Sequence, residues 1–107
     1  MPYIVTSSLY PSDKAMEVGK KYLEVLKKYP PDQTLGSELV PAAVKTTEQG
    51  IKVMSIVEVK KGKLEEALNR AINEMAMFLS IVGFEYSIDV HLSAAEAMAT
   101  IGMSLPG

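Results

Sequence analysis

The chain has no cysteine, one histidine and one arginine, and no apolar run long enough to cross a bilayer. Each shortage excludes something. Without cysteine there are no disulfides, no thiolate nucleophiles and no cysteine-ligated zinc or iron–sulfur centres. A lone histidine, His91, leaves little for a transition metal, so neither metal nor cofactor is expected. The longest apolar stretch, Met75 to Val82, is interrupted by Ser80 and falls far short of the roughly 20 residues a membrane span needs. The N-terminal MPYIVTSSLYP lacks the basic start and long apolar core of a secretion signal, and a cytoplasmic location is expected. Eleven basic residues against thirteen acidic ones give a net charge of -2. Most lysines alternate with glutamates, which reads as a solvated face and excludes the basic surface that phosphate backbones require.

What is present suits one small domain. In 107 residues, 48% are hydrophobic and 22% charged, too apolar for disorder. A domain of this size buries only roughly 60 to 68% of its unfolded surface, so a lone monomer is modestly stable.

Residues 3–9, short and β-branched between prolines, read as a strand. Pro11, Ser12 and Asp13 supply helix-start chemistry, and Ala15, Val18, Tyr22, Val25, Leu26 and Tyr29 then recur at helical spacing until Pro30-Pro31 stops them. Residues 35–47 form a weaker strand whose Pro41 belongs on an edge or at a bulge. A turn at Thr47–Gly50 leads into IKVMSIVEVK, apolar on both faces in its middle, as a central strand should be. A second helix is predicted over 64–82, with Leu64, Ala67, Leu68, Ala71, Ile72, Met75, Leu79 and Val82 on one stripe and Gly83 as its cap. A last strand over 85–92 ends at Ser93-Ala94-Ala95-Glu96, a capping box opening a short helix to about Met103.

The order β-α-β-β-α-β is that of the split βαβ, or ferredoxin-like, arrangement: an α+β fold with a four-stranded antiparallel sheet and two helices on one face. The other face would be open and partly apolar in a monomer, which predicts a homodimer with its sheets face to face. On the segments GIKVMSIVEVKKGKLEEAL and GFEYSIDVHLSAAEAM, the chain resembles the dimeric α/β-barrel superfamily of ferredoxin-like proteins, in particular its small uncharacterised archaeal-type members. That superfamily includes cofactor-independent monooxygenases, isomerases, haem-binding enzymes and ligand-sensing domains, so the resemblance implies a fold and a dimer more than a reaction.

Candidate chemistry centres on the last strand. Alternation gathers Glu85, Ser87, Asp89 and His91 on one side, where Asp89 could orient His91 as a general base, directly or through a water. The competing reading makes the same row the polar protection of an edge strand. Glu58, Ser87 and Tyr86 are candidate ligand-binding residues. No phosphate loop and no nucleophile elbow surrounds the serines at 7, 8, 12, 55 and 80. Three functions are therefore expected to compete. The first is a homo-oligomeric module binding a small organic molecule between sheet and helices. The second is a cofactor-independent isomerase or monooxygenase using Asp89 and His91, and the third a purely structural assembly protein.

Overall fold

A computed structural model describes residues 1–106. Strand β1 (Tyr3–Tyr10) passes through a single 3₁₀ turn into helix α1 (Ala15–Lys28). A hairpin of β2 (Gly36–Thr47) and β3 (Gly50–Val59) follows, then α2 (Leu64–Ala76), β4 (Glu85–His91) and the short α3 (Ala94–Ala99). The four strands form one antiparallel sheet in the order β2-β3-β1-β4, compatible with the ferredoxin-like arrangement. The sheet is open, with β2 and β4 as its edges. No helix among the described residues is long and apolar enough to cross a membrane.

The molecule's shortest dimension is 19 Å, the depth of one helix layer on one sheet. Register assigns the two sheet faces. Ile4, Thr6, Ser8 and Tyr10 of β1 share the helix side with Ile51, Val53, Ser55 and Val57 of β3. Tyr3, Val5, Ser7 and Leu9 share the uncovered side with Glu58, Ile56, Met54 and Lys52. Pro41 stands on the edge strand, as its missing N–H requires, and register shifts bracket it between Glu38 and Ala43.

The core on the helix side is in two pieces. One joins Tyr10, Val18, Val25, Phe78 and Ile81, with Phe84 stacked on Phe78 at 4.8 Å. The other joins Ile4, Val59 and Ala67. Val59 is fully buried, which stabilises the fold by about 1.5–3 kcal/mol.

Helix α2 stops six residues before the predicted end at Val82. Beyond Ala76 the amides of Met77, Phe78, Leu79, Ile81 and Phe84 bond carbonyls three residues back. At three residues per turn, positions i and i+3 eclipse, so Met75, Phe78, Ile81 and Phe84 line up on the inside. Phe78 and Ile81 are 5% and 2% exposed, whereas the predicted stripe members Leu79 and Val82 are 61% and 76% exposed. Gly83 has the expected positive φ of 83°.

Two other glycines are dictated by close backbone approach. Gly50 opens β3 at φ 133°, where the Thr47 hydroxyl donates to its carbonyl at 2.8 Å. A Cβ there would collide with the Tyr10 carbonyl oxygen, and one on Gly36 would collide with that of Glu58. Gly36→Ala is therefore expected to destabilise the fold by about 1–3 kcal/mol in urea unfolding through displacement of β2 from β3. A loss within error would mean that the edge strand yields freely.

Candidate functional site

Between the sheet and the two helices lies a cavity of about 740 Å³. That is far more than a packed interior leaves empty and lies within the range of small-molecule sites. Its walls are apolar: Val18, Val25 and Leu26 from α1, Val53 and Val57 from β3, Met75 from α2 and Phe78 from the turns that follow it. Its floor is not. Thr6 and Ser8 of β1 and Ser55 of β3 present hydroxyls from the middle of the two central strands, with Thr6 directly opposite Ser55. Ser8 is only 9% exposed. Among the described residues, no protein group hydrogen-bonds any of these three side chains. The wall also contains Gly19, in the middle of α1, where an added Cβ would meet nothing within 4 Å.

Charge gathers on Arg70 and its neighbours. Its Nε donates to Glu74 Oε1 at 3.3 Å, its Nη1 lies 3.8 Å from Asp32 Oδ2, and its Nη2 donates to the Pro30 carbonyl. The guanidinium also lies over the Tyr29 ring at 5.7 Å. Arg70 thereby ties α2 to the chain leaving α1. Burial pushes the Glu74 carboxyl above its ordinary range, against the opposing pull of Arg70, and the charge of Glu38 adds to the rise. Asp32 is held low, first by hydrogen bonds from the Thr34 hydroxyl and amide. Arg70, Asp32, Glu38 and Glu74 all line the cavity.

The residues singled out on the last strand lie elsewhere. Asp89, His91 and Ser87 are exposed on the open face of the sheet, on edge strand β4. No hydrogen bond joins Asp89 to His91 among the described residues. Glu58 lies on that same open face, and cross-strand register sets His91, Tyr3 and Glu58 in one row over β4, β1 and β3. His91 and Glu58 are thus two strand spacings, roughly 10 Å, apart. Tyr86 points to the helix side, its ring 6.5 Å from Phe84. It shares with Ser87 a shallow depression of about 390 Å³ at the β4 edge. None of these five residues lines the large cavity. Among the described residues, no three histidine, aspartate or glutamate side chains gather as a metal site would require.

No nucleophile motif marks the serines of the hydroxyl floor in the sequence. The signal lies in the polar positions of the two alternating registers: Ser55 among Ile51, Val53, Val57 and Val59 on one strand, and Thr6 and Ser8 between Ile4 and Tyr10 on the other. Glu74 lies one turn after Arg70 and Ala71, half-buried on the cavity side of α2. Lys45 stands directly opposite Lys52 across the β2–β3 pair.

Fold and site together define a small α+β protein with an open sheet and an apolar, hydroxyl-floored cavity. No family model matches the chain, and no curated protein matches it. Among solved structures it is similar to the de novo designed protein Foldit4, with a TM-score of 0.52 over 86% of this chain and 96% of that one. At 14% identity the likeness is one of fold alone.

Glu74 gives the site a pH signature. Its carboxyl binds protons more readily folded than unfolded, so its contribution is unfavourable above its raised folded value and vanishes below the unfolded value of 4.5. Glu74→Gln is expected to raise the melting temperature at pH 7 relative to its effect at pH 4. A variant equally or more destabilised at pH 7 would mean that the Arg70 contact outweighs burial.

Proposed function

We propose that this chain binds a small organic molecule in the cavity between its sheet and its helices, and that it does so as a homodimer whose sheets pack face to face, in the manner of a dimeric α/β barrel. The binding reading is carried by the three unpartnered hydroxyls at the floor of the cavity. Thr6 and Ser55 are half-buried, and the hydroxyls reach the solvent that fills the cleft, so an occupant can take over from water the hydrogen bonds that no protein group supplies. A perturbed carboxyl in the same cleft points the same way.

The dimer reading is supported by the open face. Tyr3, Val5, Leu9 and Ile56 form a half-buried apolar strip there, with Met54 exposed beside them. One row across the sheet runs Lys45, Lys52, Leu9, Glu85 from β2 to β4. Two lysines opposite one another are unfavourable within one sheet. A two-fold axis parallel to the strands would set β2 over the partner's β4, and Lys45 over the partner's Glu85. The same packing would enclose Asp89 and His91. The alternative of a cofactor-independent isomerase or monooxygenase, with His91 as base and Asp89 orienting it, therefore depends on the dimer. A purely structural assembly role is the reading left if nothing binds.

Two experiments test these readings. Gly19→Leu fills open space and replaces a poor helix former, so it is expected to raise stability by about 1 kcal/mol or more while reducing binding of small apolar ligands at least tenfold. Loss of stability would show that the cavity closes in solution and would remove the basis for a ligand. Sedimentation of the wild type should give a dimer that Lys45→Glu weakens at low salt and that the added change Glu85→Lys restores. A monomeric wild type would overturn the face-to-face assembly.

A further inference from the structure

We propose, resting on the small-molecule reading above, that the cavity selects an organic cation: a protonated amine carried on an apolar or aromatic body. The charge on the lining is one-sided. Asp32, Glu38 and Glu74 face a single basic residue, Arg70, and no lysine lines the cavity. Arg70 is already engaged by Glu74, Asp32 and the Pro30 carbonyl. Glu38 has no basic group within 4 Å among the described residues. A carboxylate or phosphate ligand would enter against an excess of negative charge, with the one guanidinium occupied. An ammonium group would meet an unpaired carboxylate at Glu38 and a half-buried one at Glu74.

Two further observations fit the rest of such a ligand. Ser8, nine-tenths buried and without a partner, faces the cavity from its floor, a position for a second polar atom on the ligand. Tyr22 lines the wall from α1, and its ring offers a face to a cation or an aromatic ring. The Tyr29 ring, in contrast, already has Lys28 and Arg70 each at 5.7 Å. Burial makes the Glu74 carboxylate costly when ionised, and a ligand ammonium would add to the counter-charge of Arg70, which Glu74 shares with Asp32.

The test compares three probes with one body and different heads: 3-phenylpropylamine, 3-phenylpropanol and 3-phenylpropanoate, titrated into the full chain at pH 7 and followed by amide NMR shifts of Thr6, Ser8 and Ser55. The amine is expected to bind at least about tenfold tighter than the alcohol, and the carboxylate most weakly. In the double variant Glu38→Gln/Glu74→Gln the amine should lose that advantage while the alcohol keeps its affinity, with circular dichroism confirming the fold. Equal binding of amine and alcohol, preference for the carboxylate, or an amine advantage that survives the double variant would overturn cation selectivity and leave small-molecule binding intact. If none of the three probes moved the floor resonances, both readings would fall.

Discussion

The placing of three hydroxyls in the middle of the sheet governs how everything above it packs. In a two-layer α+β domain the centre of the sheet's inner face is where apolar burial is greatest. Here that centre is Thr6, Ser8 and Ser55, and the apolar residues are pushed towards the two ends. Closing the helices over these groups would replace their solvation with hydrocarbon, at about 1–3 kcal/mol each, more than the added contacts of small side chains would return. The split core and the cavity are two consequences of that one choice of residues.

With its centre open, the helix layer needs other attachments, and these account for features that look incidental one by one. Arg70 fastens α2 to the chain that leaves α1, across 40 positions of sequence, through Pro30 and Asp32. The tightened turns after Ala76 drive Phe78 and Ile81 into the larger core cluster, where a continued α-helix would have turned Leu79 and Val82 inward instead. Phe84 then stacks on both Phe78 and Tyr10. One end of the domain is thereby made rigid by aromatic packing, and the other is held at Ile4, Val59 and Ala67.

Local rules made most of the architecture legible. Alternation placed the strands, Pro41 marked β2 as an edge, and Gly50 and Gly83 announced their positive φ. The capping box at Ser93 is present as read, with Ser93 donating its amide to Glu96 at 2.9 Å and accepting the Glu96 amide at 3.2 Å. Where α2 ends was not legible, since Met77–Val82 is apolar enough to continue a helix, and tertiary packing of Phe78 decided the matter. The site was the harder part. Asp89 and His91 drew attention because their residue types are familiar in catalysis, whereas Ser55 is informative only as an exception within its register. Arg70 depends on partners that the sequence does not bring near.

The sheet's two faces share the same central strands and differ by one residue in register. Positions 4, 6, 8 and 10 of β1 look into the cavity or its walls, while 3, 5, 7 and 9 look onto the open side. Any twist or shift of β1 against β3 that adjusts Thr6 and Ser55 around an occupant must also move Val5, Ser7, Met54 and Ile56 on the reverse side. Successive side chains of one strand project to opposite faces from a shared backbone, so a shift on one side is carried to the other. Packing of two copies through the open face would accordingly stiffen the floor of each cavity. By linkage, an occupant that fixes the floor would strengthen the assembly by the same free energy. The small size of the core would make such coupling consequential, because few other contacts would resist a change in sheet twist.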